Sequence, residues 1–280
     1  MAAIHEKGVI AWDGYPLHYS QTGFGSQLVL AFHGYGLSAA QMQVIANFLP
    51  EQYKLVCFDL PYHGDSQHHL EKIPDKQSLR AFAESVCAHF QVNQFSLLGY
   101  SLGGRFCLCL IETVPEYIQR ITLLASDGLV FNPLYYMLTR THLGTLIFKD
   151  FTQKPKRYLP IAKLLYRWNI LHPSRYRFFR KYTQNPSDLT LFYNVWMSTR
   201  YLLPQYAQLR QCLLNFPISI QLIMGQKDPI IKPSYAIRFA RLSPSIQVHW
   251  LSEGHNLLKN DIIPEIIPYL FPDLSAQIHT

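Results

Sequence analysis

The feature that most constrains the fold of this chain is the segment from Gly99 to Gly103, which reads Gly-Tyr-Ser-Leu-Gly. An apolar run, 95–98, precedes it, and a stretch with helical spacing, 102–113, follows it. A serine in such a sharp strand-to-helix turn has a strained backbone, and its neighbours must be small. The two glycines supply that room. The pattern therefore predicts a nucleophile, Ser101, at a helix N-terminus that favours a developing negative charge.

A second glycine-containing turn, His-Gly-Tyr-Gly at residues 33–36, follows another apolar run. Such a turn lets backbone N–H groups point at a reacting carbonyl oxygen. We expect the N–H groups of Tyr35 and of Leu102, the residue after the serine, to form an oxyanion hole. His33 and Gly34 are expected to support this turn, with His33 bracing the loop. The alternative interpretation is a plain strand-to-helix turn.

Two later segments supply an acid and a base. Asp228 follows an apolar run and precedes a proline, and His255 lies in a glycine loop after the last apolar run. His255 is predicted to be the general base for Ser101, and Asp228 the residue that orients its ring. Asp127 also follows a predicted strand, so it is an alternative acid; otherwise it is a turn or capping residue.

Together these motifs resemble the α/β-hydrolase fold superfamily, in its serine-nucleophile branch. The resemblance covers nearly the whole chain and includes residues 59–66, which are similar to that family's Asp-x-x-x-x-Gly-x-Ser turn. The chain order of Ser101, Asp228 and His255 is the order expected for this arrangement. A triad supplies its own base and electrophile, so no cofactor is predicted. No metal site is predicted either, because the histidines at 63, 68 and 69 match no zinc spacing and are expected to be solvated in a loop.

The order of apolar runs predicts an α/β architecture: a mostly parallel eight-stranded sheet with helices on both faces. A hairpin signal, Asp13-Gly14, places an antiparallel pair at one edge. Strands then alternate with helical patterns, which is typical of parallel sheets. The predicted strands are Lys7–Trp12, Tyr15–Ser20, Gln27–Phe32, Lys54–Asp59, Phe95–Leu98, Ile121–Ala125, Ile218–Met224 and Gln247–Leu251. The predicted helices in this part are Ser38–Leu49, Lys76–Phe90, Leu102–Thr113, Ser234–Leu242 and Ile262–Leu270.

Residues 129–216 break this alternation and are predicted to be a helical cap, or lid, inserted after strand 6. The hydrolase core would then be 1–128 and 217–280. The insertion carries thirteen lysines and arginines against two aspartates, whereas the whole chain has a net charge of only +7. The charge indicates either a solvated helix face, or attraction of an anionic substrate, an acidic partner or an anionic membrane surface. Nucleic acid is not expected, because the rest of the chain is acidic and carries a hydrolase site.

The five cysteines have no paired spacing, so we interpret them as buried thiols in a reducing compartment. The N-terminus shows no apolar signal region, and no apolar run reaches the length of a membrane span. These features predict a cytoplasmic protein without a transmembrane segment.

The predicted activity is hydrolysis of a carboxylic ester of small or medium acyl length through an acyl-enzyme. Alternatives of the same fold are a carbon–carbon (diketone) hydrolase, a thioesterase and an acyltransferase. An alternative of another class is a ligand-binding, receptor-like protein with little turnover. The substrate is expected to be a small molecule whose choice depends on side chains of the insertion.

Overall fold

The sheet is built from eight strands, as the apolar runs predict. The structure is a computed structural model that describes residues 6–66, 73–170 and 186–272, with positions 173, 176, 177, 180 and 183 between the last two ranges. The strands are β1 (Glu6–Trp12), β2 (Tyr15–Thr22), β3 (Gln27–Phe32), β4 (Tyr53–Phe58), β5 (Phe95–Tyr100), β6 (Ile118–Leu124), β7 (Ser219–Gly225) and β8 (Ile246–Leu251). Their order in the sheet is β1-β2-β4-β3-β5-β6-β7-β8.

Strand direction follows from the connections. Asp13 and Gly14 both have positive φ, 53° and 88°, which suits a two-residue hairpin turn between β1 and β2. These two strands pair antiparallel, and β2 pairs antiparallel with β4. All other neighbours are parallel. The expected mostly parallel sheet with an antiparallel edge is therefore confirmed, and its parallel strands share one carboxyl edge.

The described α-helices follow the predicted alternation closely. They are α1 (Ala39–Met42), α2 (Lys76–Phe90), α3 (Leu102–Thr113), α4 (Pro133–Arg140), α5 (His142–Gln153), α6 (Leu159–Arg167), α7 (Pro186–Ser198), α8 (Tyr206–Asn215), α9 (Pro233–Ala240) and α10 (Ile263–Leu270). The single helix predicted over Ser38–Leu49 is wrong in one respect, because α1 continues as a 3-10 helix over Gln43–Phe48. The β-branched residues Val44 and Ile45 favour the α-helix weakly, and Pro50 keeps Leu49 out of the helical region.

Helices cover both faces of the sheet because consecutive strand residues point to opposite sides. On β3, Ala31 packs in a cluster with residues of α1 and α10, such as Met42 and Ile266. The next residue, Phe32, points the other way and lies 6.2 Å, ring to ring, from Phe106 of α3. The expected layered α/β architecture is confirmed.

The chain divides into two compact units, which we call the sheet unit (Met1–Phe131 and Tyr201–Thr280) and the helical unit (Asn132–Arg200). The helical unit is shorter than the predicted insertion of residues 129–216. The difference arises because α8 belongs to the sheet unit, where the Gln205 N–H donates to the buried carboxylate of Glu112 at 2.5 Å.

Aromatic side chains form the interior of the helical unit. Tyr135 is buried, and its hydroxyl donates to the carbonyl of Trp196 at 3.0 Å. Phe148 of α5 is also buried, with its ring 5.5 Å from that of Trp196. A Cβ at Gly144 would overlap the Met137 carbonyl oxygen, so α4 and α5 approach closely there. In the parts of the chain that the structure describes, no helix is long and apolar enough to cross a membrane.

The five cysteines are all free thiols. Cys57, Cys107 and Cys109 are fully buried, and burial raises the pKa of each thiol well above its usual range. These residues act as apolar core residues rather than as nucleophiles.

Candidate active site

Ser101 occupies the turn between β5 and α3 with φ 50° and ψ −113°, a conformation that residues with a side chain rarely adopt. Its backbone is held from both sides. The Ser101 N–H donates to the Leu124 carbonyl at 2.9 Å, and its carbonyl accepts the N–H groups of Gly104 and Asp127 at 3.0 and 2.8 Å. The surrounding strands therefore maintain the strained turn.

Glycine is required where α3 lies against β3 and β5. A Cβ at Gly103 would overlap the carbonyl oxygen of Phe32, and one at Gly99 would lie 2.6 Å from the Cα of Gly104. A side chain at position 34 would also be crowded, because a Cβ on Gly34 would lie 3.2 Å from the Cβ of Ser101. The predicted small residues thus lie at close backbone contacts around the serine.

His255 links Ser101 to a carboxylate. Its Nε2 lies 3.0 Å from the Ser101 Oγ, and its Nδ1 lies 2.7 Å from the Asp228 Oδ2. An ionised carboxylate only accepts, so Nδ1 carries the proton and Nε2 is left to accept the serine hydroxyl proton. The Tyr100 hydroxyl donates to the His255 carbonyl at 3.1 Å and fixes the loop that carries the ring.

Asp228 is held as a buried acceptor at the carboxyl end of β7. Its side chain is fully buried, and its Oδ1 accepts the N–H groups of Ile230 and Ile231 at 2.7 and 2.9 Å. Buried carboxylates need such donors to remain in place. The Oδ1 of Asp228 therefore fixes the loop, and its Oδ2 accepts from His255.

Asp127, the alternative acid, has other partners. Its Oδ2 pairs with the guanidinium of Arg105, whose Nε is 3.0 Å away, and its Oδ1 accepts the Gly128 N–H at 2.7 Å. The structure places Asp228, and not Asp127, against His255. Asp127 acts here as a turn residue in an ion pair.

The turn after β3 lies beside the serine. The Gly34 carbonyl accepts the Leu37 N–H at 3.2 Å, and Gly36 has φ 73°, so residues 34–37 form a tight turn that contains Tyr35. Leu102 is the first residue of α3, where amide groups have no carbonyl partner within the helix. Of the two residues predicted for the oxyanion hole, Leu102 follows Ser101 directly, and Tyr35 follows Gly34, where a Cβ would meet Ser101.

Two buried histidines brace this turn. His33 is completely buried, its Nδ1 lies 2.7 Å from the Gly34 carbonyl, and its Nε2 accepts the Leu60 N–H at 3.0 Å. Burial lowers the pKa of His33 to about 3, so the ring is neutral near pH 7. Its ring lies edge-on to His63 with 4.9 Å between centroids.

The expectation that His63 is solvated is wrong, and the other two histidines of that cluster, His68 and His69, lie outside the described residues. His63 is 4% exposed, and its Nε2 accepts the Gly36 N–H at 3.0 Å. Burial lowers the pKa of His63. This ring therefore contacts the turn that contains Tyr35, a position that spacing alone did not reveal.

Asp59 holds the turn that contains His63. Its Oδ1 accepts the Ala39 N–H at 2.6 Å and its Oδ2 accepts the Asp65 N–H at 2.9 Å. A Cβ at Gly64 would overlap this carboxylate. The Asp-x-x-x-x-Gly-x-Ser pattern at 59–66 marks this turn in the sequence, but it does not show that His63 contacts the turn after β3. Within the described ranges, no group of three or more His, Cys, Asp or Glu side chains could hold a metal ion.

Comparison with known proteins agrees with this architecture. Residues 27–261 match the model of a family described as alpha/beta hydrolase fold, and the chain belongs to that family.

Relatives and solved structures are similar over different lengths. The chain is 29% identical over 160 residues to the uncharacterized hydrolase YugF of Bacillus subtilis. The aligned region covers 57% of this chain and 55% of YugF. It is 29% identical over 110 residues to a pimeloyl-[acyl-carrier protein] methyl ester esterase of Nitrosomonas europaea, covering 39% and 41% of the two chains. The matched parts span about half the length of these relatives. A thermophilic esterase from Thermogutta terrifontis, solved with malate bound, has the same fold, with TM-score 0.65, 17% identity and coverage of 99% and 100%.

Proposed function

We propose that this protein is a serine hydrolase that cleaves carboxylic esters through an acyl-enzyme on Ser101. The observation that carries the proposal is one chain of contacts, from Ser101 Oγ to His255 Nε2 at 3.0 Å and from His255 Nδ1 to Asp228 at 2.7 Å. A nucleophile, a base and a group that orients the base are the parts that acyl transfer requires. The esterase named among the relatives supports the same class of substrate.

The first half of the reaction forms the acyl-enzyme. Ser101 Oγ attacks the ester carbonyl carbon while its proton passes to His255 Nε2. Asp228 accepts from Nδ1–H, which keeps the ring in the required tautomer and stabilises the imidazolium. His255 then gives the proton to the leaving alcohol oxygen as the carbon–oxygen bond breaks.

The second half releases the acid. A water molecule gives its proton to His255 and attacks the acyl carbon, and Ser101 leaves with the proton returned from the ring. In both halves the carbonyl oxygen becomes negative, and the N–H groups of Tyr35 and Leu102 donate to it. His33 and His63 hold the turn that contains Tyr35, so they are positioning residues in this proposal.

Hydrolysis of p-nitrophenyl acetate, butyrate, octanoate and palmitate tests the proposal. We expect turnover to peak at one acyl length and to fall by about 10³-fold or more in Ser101→Ala. Ser234→Ala, at an exposed serine on α9, is the matched control and should keep full activity.

Absence of turnover on all four esters, from protein whose circular dichroism shows it folded, would contradict the esterase proposal. Carbon–carbon cleavage or ligand binding would then take its place. Turnover that survives in Ser101→Ala would contradict the role of the serine.

A further inference from the structure

The helical unit exposes large apolar side chains on helices whose other faces are already packed. On α5, Gly144 and Phe148 are buried, yet Leu143 is 68% exposed and Leu146 and Ile147 are exposed beside it. A helix that is apolar on both faces is normally buried on both. The second face of α5 therefore lacks a cover among the described residues.

The same arrangement continues on α4. Tyr135 and Thr139 are buried, whereas Leu134 and Met137, which are one helical turn apart, are exposed. Because α4 and α5 touch where Gly144 meets the Met137 carbonyl, their exposed apolar residues belong to neighbouring helices.

Helix α6 carries a third set of exposed apolar side chains. Ile161, Leu164 and Trp168 follow the spacing of one helix face, and all three are exposed, Trp168 by 65%. Exposed apolar residues scattered singly are ordinary on protein surfaces, whereas groups of them on one helix face are typical of interaction surfaces. We call the exposed apolar residues of α4, α5, α6 and Trp168 the apolar face.

Basic residues lie among these helices. Lys149 of α5, Lys156 in the connection, and Lys163 and Arg167 of α6 are all exposed. The helical unit as a whole contains twelve lysines and arginines and two aspartates, so its formal charge is +10 whereas that of the whole chain is +7. Asp150 pairs with Arg157 at 3.1 Å and with Lys154 at 3.7 Å, and its charge is already included in this total.

The charge decides among possible occupants of the apolar face. A second copy of the chain would bring two units of the same strong positive charge together, which disfavours association. Nucleic acid would pair its phosphates with the lysines but would leave the exposed leucines in contact with water. An anionic lipid surface accepts both: acyl chains take up leucine, isoleucine and tryptophan without a fixed shape, and headgroups attract lysine and arginine.

From these observations we propose that the apolar face of the helical unit, with its surrounding lysines and arginines, docks this protein onto an anionic phospholipid bilayer. Trp168 would lie at the level of the headgroups, where tryptophan is favoured. This inference does not depend on the proposed hydrolysis.

Flotation with vesicles tests it. The full chain is mixed with vesicles of phosphatidylcholine alone, or of phosphatidylcholine with phosphatidylglycerol. We expect binding to the mixed vesicles, little binding to phosphatidylcholine alone, and release as salt shortens the Debye length from about 10 Å at 0.1 M to about 3 Å at 1 M. Ser101→Ala should bind like the unchanged protein, because the serine takes no part in docking.

Two sets of substitutions separate the contributions. Leu143→Ser with Leu146→Ser removes apolar area, and Lys149→Gln with Lys163→Gln removes charge; each pair should weaken binding by about tenfold. Leu214→Ser with Ile237→Ser is the matched control, since both residues are exposed on helices of the sheet unit. The control pair should bind vesicles as the unchanged protein does.

Three results would overturn the proposal: equal binding to both kinds of vesicle, equal loss in the control pair, or no vesicle binding by folded protein. A concentration-dependent dimer that Leu143→Ser with Leu146→Ser abolishes, without vesicle binding, would assign the face to a second copy. Retention on nucleic acid alone would assign the basic residues to that class of ligand.

Discussion

Individual histidines in this protein differ in what surrounds their ring nitrogens. His255 faces a hydroxyl and a carboxylate, whereas His33 and His63 each accept a backbone N–H and are buried. A neutral imidazole that accepts at Nε2 must carry its proton at Nδ1. The sequence could assign His33 to the loop because it adjoins the glycine turn, but His63 is 27 residues from Gly36, a separation that no local pattern bridges.

His63→Ala tests the positioning role. The substitution leaves the Gly36 N–H without its acceptor and removes the ring that lies 6.1 Å from that of Tyr35. Since one oxyanion donor accounts for about 10²–10³ in kcat, we expect its displacement to lower kcat by about tenfold or more with a smaller change in KM. Steady-state kinetics on the best p-nitrophenyl ester measure both.

His63→Gln should restore part of the rate, because its side-chain oxygen can accept the Gly36 N–H. His89→Ala on α2 is the control; it removes a hydrogen bond to the Tyr19 hydroxyl of β2 and should leave kcat unchanged. If His63→Ala lowers only the thermal unfolding temperature and not kcat, His63 is structural and the positioning role is wrong.

The burial of His33 predicts how stability depends on pH. Its ordinary pKa of 6.5 applies in the unfolded chain, and its folded pKa is about 3. Well above pH 6.5 the ring is neutral in both states, so this residue adds no pH dependence there. As pH falls from 6.5 towards 3, only the unfolded state takes up the proton, and the free energy of unfolding falls by ~1 kcal/mol per pH unit.

Urea unfolding at several pH values from about 7.5 down to about 5 measures the slope in the upper part of this window, together with the flat region above it. His33→Gln should give a shallower slope. Burial of His63 acts in the same direction, so part of the slope remains. An unchanged slope in His33→Gln would show that other groups control acid unfolding.

At the scale of elements, local patterns could predict the sheet because each strand is a short apolar run bounded by turn residues. The bounds of α2 and α3 agree with prediction, since Asp75 caps α2 and the strained Ser101 immediately precedes α3. The 3-10 helix after α1 could not be predicted, because its apolar spacing is nearly that of an α-helix. The inward fold of residues 59–66 also required the Asp59 contacts that only tertiary structure shows.

The contact between α3 and β3 predicts a sharp effect of Gly103→Ala. Its methyl group would overlap the Phe32 carbonyl oxygen, a backbone atom that cannot move without displacing β3. We expect the thermal unfolding temperature to fall by several degrees, as for a loss of ~2 kcal/mol or more. Gly254→Ala is the control, because the nearest atom to its Cβ would be 4.0 Å away. Equal stability of the two variants would contradict the close approach of α3 and β3.

For the whole molecule, the sequence could predict an α/β sheet interrupted by a helical, basic segment. It could not predict which aromatic residues of that segment are covered. Tyr135 and Phe148 are buried while Trp168 is exposed, although all three lie in similar surroundings of mixed apolar and basic residues. When a helix has apolar residues on both faces, the spacing of those residues in the sequence does not show which face is packed.

Reaction with diethyl p-nitrophenyl phosphate tests whether Ser101 is the activated nucleophile of a hydrolase. The serine oxygen attacks phosphorus, p-nitrophenolate leaves, and the diethylphosphoryl group stays on the protein. Peptide mass spectrometry should find a single such group, on the peptide that contains Ser101, and none on Ser101→Ala. Labelling of another residue, or no labelling of folded protein that hydrolyses esters, would show that Ser101 is not the activated nucleophile.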